Sequence, residues 1–186
     1  AQTAMDYAYS RGTVIVASMA DENSRHANVP ATANHTMPVH AITMMATDES
    51  TTARSFLAFN NCTNFGAQNF LSASGTGCSS EAVGRLSGLS GLVYSMGLQA
   101  KLDPPLSAGE VMQIFFKTAD DINIEASQKP DSGFYWSQKG FDQRFGYGRV
   151  NANTAVEWVK AGRIPPEVDI VRPYWFEVLY KDQLTQ

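Results

Sequence analysis

The chain has 186 residues, of which 44% are hydrophobic and 17% charged, and its formal net charge is −4. This is enough apolar material for one sizeable core and excludes a disordered or fibrous protein. The scattered Lys and Arg residues leave no basic surface for nucleic acid, and no apolar run reaches membrane-spanning length, so we expect one globular domain without either partner.

Strand and helix patterns alternate from the start of the chain. A helix pattern around Ala4–Ala8, which Gly12 can end, is followed by a β-rich run at Thr13–Ala17 and a second at Val39–Met45. Continuous apolar runs of this kind are typical of parallel strands buried on both faces. We therefore predict an α/β fold in which these two runs are neighbouring parallel strands; Arg54–Phe59 is a shorter candidate strand.

The longest helix pattern runs from Ser80 to about Met96. Small residues stand between its apolar positions, which predicts a buried helix that is closely packed on both sides. Those apolar positions are Val83, Leu86, Leu89, Leu92, Val93 and Met96. The serine pair Ser79 and Ser80 stands at its start. A serine here either caps the helix or acts as a nucleophile, because unpaired N–H groups favour a developing negative charge.

Two shorter helix patterns and a change of composition complete the chain. Ser107 begins a capping box before an apolar helix pattern, and Asn151 begins the last helix pattern. After the double proline at 165–166 the pattern changes. We therefore predict one domain at residues 1–164, with residues 165–186 as a linker or the start of a following module.

Three segments resemble parts of subtilisin-like serine peptidases (subtilases) and occur in the family's order. Cys78-Ser79-Ser80-Glu81-Ala82 is similar to the Gly-Thr-Ser-x-Ala motif that carries the nucleophile. Arg11–Asn23 resembles the strand that enters the family's Ala-Gly-Asn loop, and Phe145–Ala152 resembles its Gly-x-Gly-x-Val-x-Ala segment. The resemblance implies a partial subtilisin-like domain, the C-terminal half of the catalytic domain, with a parallel sheet flanked by helices.

The same resemblance implies how the site would work. Ser80 takes the position of the nucleophile, and Asp21 that of the asparagine that helps to form the oxyanion hole. The wall that receives the substrate side chain would be formed by Ser18, Met19 and Ala20. The implied reaction is hydrolysis of a polypeptide through an acyl-enzyme. An ionised aspartate donates no hydrogen bond, so Asp21 opposes the oxyanion unless it is protonated.

The remaining members of the catalytic triad are missing from this sequence. Neither the family's Asp-(Ser/Thr)-Gly segment nor its His-Gly-Thr-His segment occurs, and the motifs around His26, His35 and His40 do not replace them. We expect the N-terminal half of the same peptidase domain to supply the catalytic Asp and His. The chain is then a processed fragment or one part of a longer chain, and is inactive alone.

Two alternatives to this interpretation stay open. Ser74-Gly75-Thr76-Gly77 looks like the same motif with glycine at the nucleophile position, although this register misplaces Ala82 and Gly88. A catalytically silent subtilase-like domain with a binding or structural role is the rival function. It rests on the missing triad segments and on departures from the motif such as Asp21 and Cys78. An unrelated α/β-hydrolase would need a Gly-x-Ser-x-Gly elbow, which is absent.

The two cysteines, Cys62 and Cys78, lie sixteen positions apart. A disulfide between them would pin a Ser- and Gly-rich loop to the helix start, whereas two free buried thiols are the alternative. The resemblance favours a secreted or extracellular setting and with it the disulfide. No His or Cys pair has metal-ligand spacing, so we expect no metal and no cofactor, calcium being implied by the resemblance only.

Overall fold

The chain folds as a parallel three-stranded sheet flanked by helices, which confirms the predicted α/β class. We describe it from a computed structural model that covers residues 1–22, 24–42, 62–75, 78–122 and 138–168. The elements in chain order are α1 (Gln2–Ser10), β1 (Ile15–Ser18), β2 (Thr36–Ile42), β3 (Leu71–Ser74), α2 (Ser79–Gln99), α3 (Ala108–Thr118) and α4 (Ala152–Lys160). The candidate strand at Arg54–Phe59 and residues 43–45 and 169–186 lie outside the described residues.

The strand order is β1-β2-β3, and both pairs are parallel. The first two strands are therefore neighbours, as predicted. β2 begins earlier than expected, at Thr36, and includes Pro38. A proline lacks the N–H that a sheet needs, but pairing with β3 begins only at the next residue, where Val39 lies opposite Leu71. Pro38 therefore fits into the strand without interrupting the ladder on that side.

Helix α2 packs one face against all three strands. This buried face follows the helical period and consists of Ser79, Ala82, Leu86, Ser90, Val93 and Gly97. The opposite face is exposed within the described part of the chain. A Cβ added at Gly84, Gly88 or Gly91 would meet nothing within 4 Å, and Leu92 is 45% exposed. The helix is therefore packed on the sheet and against α4, with small residues on both of its faces, and close packing of the opposite face is not seen among the described residues.

The segment after Phe145 runs along the open edge of β3. Ser72 donates its N–H to the Gly148 carbonyl at 2.9 Å, and the Val150 N–H donates to the Ser72 carbonyl at 2.9 Å. Gly148 has a φ of +119°, and a Cβ there would lie 2.1 Å from the Asp120 carbonyl oxygen. Only glycine fits such a position, which explains physically why this segment carries a glycine there.

Helix α3 begins with the predicted capping box. The Ser107 side chain accepts the Glu110 N–H at 3.1 Å, and the Glu110 carboxylate accepts the Ser107 N–H at 2.8 Å. Glu167, beyond the predicted domain boundary, accepts hydrogen bonds from Ser107 Oγ and from the Tyr9 hydroxyl, both at 2.6 Å. The Glu167 side chain thus connects the segment after residue 164 to α1 and to the cap of α3, and the boundary itself stays a prediction.

We expect Ser107→Ala to lower the free energy of unfolding by about 1 kcal/mol, because the Glu110 N–H loses its acceptor and Glu167 loses the hydrogen bond from Ser107 Oγ. Urea denaturation measures this as a lower midpoint. Ser87→Ala is the matched control, since Ser87 is exposed in the middle of α2. That variant should be unchanged or slightly more stable. Equal midpoints for Ser107→Ala and the parent protein would contradict the capping role.

Candidate active site

The loop that follows β1 turns sharply at Ala20, whose φ is +69°. This left-handed conformation costs a non-glycine residue about 1–2 kcal/mol. Two hydrogen bonds hold it: the Ala20 N–H donates to Ser18 Oγ at 2.9 Å, and the Ala20 carbonyl accepts the Asn64 N–H at 2.9 Å. The turn places Asp21 next to the first residue of α2.

Asp21 contacts the N-terminus of α2 through one carboxylate oxygen. Oδ1 accepts both the backbone N–H of Ser79 at 2.7 Å and the Ser79 hydroxyl at 2.6 Å. The first N–H groups of a helix have no partner within the helix, and the helix dipole favours a negative charge there. The N-cap residue, Cys78, makes no side-chain capping bond. Asp21 therefore caps this helix from a distant part of the chain.

A second hydroxyl, that of Ser18, completes the chain of hydrogen bonds. Ser18 Oγ lies 2.5 Å from Ser79 Oγ. Because the Ser79 hydroxyl donates to Asp21, the Ser18 hydroxyl donates to Ser79 and accepts the Ala20 N–H. In both of its contacts with Ser79 the Asp21 carboxyl group is the acceptor. Ser79 is fully buried within this arrangement.

Ser80 follows as the second residue of α2, and it is exposed. Its hydroxyl makes no hydrogen bond to any part of the chain that the structure describes. Immediately before the serine pair, Cys78 forms a disulfide with Cys62, with a Cα–Cα distance of 5.9 Å. The expected pairing of the two cysteines is present, so the helix start is covalently fixed to the loop before β3. An exposed hydroxyl on a fixed helix N-terminus is an arrangement suited to a nucleophile.

Comparisons with known proteins agree on one family of folds. Thermitase from Thermoactinomyces vulgaris is 27% identical over 168 residues, covering 84% of this chain and 49% of thermitase. Among solved structures, the patellamide maturation protease PatA aligns with a TM-score of 0.64 at 18% identity, covering 86% of this chain and 56% of PatA. The fold is subtilisin-like. No family model matches the chain.

A second solved structure extends the comparison. The psychrophilic subtilisin-like protease Apa1 from the Antarctic psychrotroph Pseudoalteromonas sp. AS-11 aligns with a TM-score of 0.63 at 12% identity, covering 89% of this chain and 68% of Apa1. This subtilisin-like chain spans about half the length of thermitase and of PatA. In fold it therefore corresponds to part of a subtilisin-like domain.

The structure places the three residues of the expected substrate wall differently. Ser18 is hydrogen-bonded to the helix start, as described above, and Ala20 is half-buried at the turn. Met19 is fully buried in a small apolar cluster with Ala17 and Ala31. In this subtilisin-like chain the Met19 side chain is thus part of the interior, and the role of the three residues in substrate binding stays a prediction.

Sequence reasoning missed Asn64, which is fully buried behind the Asp21 loop. Its side-chain oxygen accepts the N–H groups of Glu22 at 2.8 Å and Ser24 at 3.1 Å. Its side-chain nitrogen donates to the Glu22 carboxylate at 2.9 Å and to the His26 carbonyl at 2.8 Å. A single asparagine in a polar loop has no spacing or periodicity that would have revealed this role.

The three histidines lie in different surroundings. His35 contacts Asp6 at 2.9 Å and stacks on the Tyr9 ring, whereas His26 is exposed near Glu22. His40 lies in β2 and is fully buried. Its Nδ1 is 2.9 Å from the Asn64 carbonyl, so this nitrogen carries the proton and donates. Burial, aided by the nearby Arg144 charge, lowers the pKa of His40 to about 3.

The lowered pKa of His40 predicts acid destabilisation. An unfolded histidine binds a proton below pH ~6.5, and the folded protein excludes it until pH falls to about 3. The free energy of unfolding should therefore fall as pH drops below ~6.5, by up to about 1.4 kcal/mol per pH unit from this group. In His40→Gln the free energy of unfolding should depend less steeply on pH between pH 6.5 and 5. The difference corresponds to about one proton fewer taken up on unfolding. Parallel curves for the two proteins would contradict this.

Two further properties concern ligands and membranes. Among the described residues, no three His, Cys, Asp or Glu side chains are grouped so that they could hold a metal ion. The same residues contain no helix with the length and apolar character of a membrane span.

Proposed function

We propose that this chain is part of a subtilisin-like serine endopeptidase that hydrolyses peptide bonds through an acyl-enzyme on Ser80. The catalytic Asp and His come from the N-terminal half of the same peptidase domain. One observation carries the proposal: the contact between Asp21 and Ser79 joins the loop after β1 to the start of α2 and leaves Ser80 exposed beside it. Two solved structures with this fold, Apa1 and PatA, are proteases by name and support the reaction class.

In this proposal the Ser80 hydroxyl attacks the carbonyl carbon of the scissile peptide bond. The histidine from the N-terminal half takes the hydroxyl proton and passes it to the departing amine. The N–H of Ser80 is at a helix N-terminus, where it can donate to the oxyanion of the tetrahedral intermediate. Water then hydrolyses the ester on Ser80, which regenerates the hydroxyl and releases the acid.

Asp21 weakens this mechanism in two ways. An ionised carboxylate cannot donate to the oxyanion, and its Oδ1 is already engaged by the Ser79 N–H and hydroxyl. Loss of one oxyanion donor typically lowers kcat by about 10²–10³. We therefore propose a slow peptidase, in which Asp21 stabilises the helix start at the expense of transition-state stabilisation.

The same contact favours the second candidate function, a catalytically silent subtilase-like domain with a binding or structural role. A carboxylate that caps α2 occupies the end of the helix where an oxyanion would develop. In that case the buried hydroxyl chain serves stability alone. The two candidates differ in one observable, the hydrolysis of a polypeptide.

The setting proposed for either function is secreted or extracellular. The disulfide between Cys62 and Cys78 supports this, because such bonds persist in oxidising compartments. The proposed partner is a polypeptide substrate. The proposed reaction uses no cofactor, and calcium binding has support only from the family resemblance.

The test is cleavage of an unfolded polypeptide such as reduced casein by the full-length protein. We expect slow cleavage that a serine-reactive fluorophosphonate abolishes, and no cleavage by the 186-residue chain alone. If a folded full-length protein with its upstream Asp and His intact cleaves nothing, the silent-domain function replaces the peptidase. Cleavage that resists the fluorophosphonate but is blocked by a metal chelator would exclude both.

A further inference from the structure

Asn64 uses every polar atom that it has. Besides its four side-chain hydrogen bonds, its backbone N–H donates to the Ala20 carbonyl at 2.9 Å, and its carbonyl accepts His40 Nδ1 at 2.9 Å. Its partners Ala20 and Glu22 flank Asp21 on both sides. A residue that fixes the backbone immediately before and after another residue determines where that residue's side chain can reach.

The disulfide connects this anchor to the helix start. Cys62 lies two residues before Asn64 and is bonded to Cys78, which directly precedes Ser79. Ser79 in turn donates its N–H to Asp21. Covalent bonds and hydrogen bonds therefore form a closed ring, which we call the site ring. It runs from Asp21 through Ser79, Cys78, Cys62 and Asn64, and it returns to Asp21 through the neighbouring residues Ala20 and Glu22.

We propose that Asn64 is a positioning residue for Asp21: it holds the Asp21 carboxylate on the N-terminus of α2, beside Ser80, and the Cys62–Cys78 disulfide closes the ring. The inference rests on the proposed function for its purpose, but its geometry is independent of the reaction. Since the parts of a ring constrain one another, loosening Asn64 or the disulfide should loosen the contact between Asp21 and Ser79.

The Ser79 backbone amide is the natural reporter of this contact. The first N–H groups of a helix exchange readily with solvent hydrogen because they have no intrahelical partner. Protection of the Ser79 amide therefore depends on Asp21 and is insensitive to helix formation as such. The amide of Phe115, which is buried in α3, reports global opening in the same sample.

The experiment is native-state hydrogen exchange on the 186-residue protein by NMR, with the Ser79 rate compared with the Phe115 rate. We expect Asn64→Ala to raise the Ser79 rate by about tenfold or more relative to Phe115, the loss expected when a hydrogen bond to a charged group is broken. Reduction of the disulfide should also raise it. Ser107→Ala is the control, which should leave the Ser79 rate unchanged while exposing the Glu110 amide.

An unchanged Ser79 rate in Asn64→Ala would overturn the positioning role, and an unchanged rate after reduction would overturn the part assigned to the disulfide. If Asn64→Ala does not fold, the same comparison of the Ser79 and Phe115 rates is made on Asn64→Asp. This variant keeps the side-chain acceptor for the Glu22 and Ser24 N–H groups but loses both side-chain donor bonds. No substrate takes part in the measurement. The inference can therefore fail while Ser80 proves reactive, and it can hold in a catalytically silent domain.

Discussion

Ser80→Ala in the full-length protein is expected to abolish peptide hydrolysis, lowering kcat by a factor on the order of 10⁶, as removal of the nucleophile does in serine peptidases of this mechanism. The reason is that, among the described residues, no other hydroxyl is both exposed and at the start of α2, since Ser79 is buried and donates to Asp21. The measurement is the initial rate of cleavage of a fluorogenic peptide.

Ser79→Ala is the matched control for this prediction. It removes a hydroxyl one residue away that interacts with Asp21 and Ser18 but leaves the backbone N–H of residue 79 in place. Both hydrogen bonds of that hydroxyl are lost, so we expect a fall in stability of about 1–3 kcal/mol and a reduction of kcat of roughly tenfold. Abolished cleavage in Ser79→Ala with retained cleavage in Ser80→Ala would invert the assignment of the two serines.

Asp21→Asn should have the second largest effect, an increase in kcat of about 10²–10³ with little change in KM. The side-chain oxygen of the asparagine can still accept the Ser79 N–H, while its NH₂ group can donate to the oxyanion. Because the gain appears only in the transition state, it should appear in kcat.

Asp21→Ala separates removal of the charge from addition of the donor. It eliminates the carboxylate but supplies no NH₂ group, so the increase seen with asparagine should be absent. It should also destabilise the protein by about 1 kcal/mol, because α2 loses its cap. A fall in kcat in Asp21→Asn would show that the carboxylate itself takes part in the reaction.

The sheet and the long helix could be predicted from the sequence because their signals are local. A β-rich run predicts β1 and a 3.6-residue apolar period predicts α2, and each holds in the structure with shifted ends. The observed β2 starts at Thr36, three residues before the predicted start at Val39, and includes Pro38. The tolerance of this proline depends on where β3 begins to pair, and that is a property of the assembled sheet.

The site could be predicted only in outline. The motif order placed the loop at Asp21 near the serine pair, and the structure joins them through Ser79. The network behind them could not be predicted, because the bonds from Asn64 to Glu22 and Ser24 span about forty residues and leave no periodic pattern. The single exposed serine at the helix start likewise follows from which side of α2 the sheet covers.

The most direct test of the central claim is to identify the residue that reacts with a fluorophosphonate probe. The full-length protein is labelled, digested, and its peptides are mapped by tandem mass spectrometry. We predict one adduct, on Ser80, absent from Ser80→Ala and absent from the isolated 186-residue chain, where no adjacent base activates the hydroxyl. An adduct on Ser79, or no adduct on a folded full-length protein with its upstream Asp and His, would contradict Ser80 as the nucleophile of a subtilisin-like peptidase.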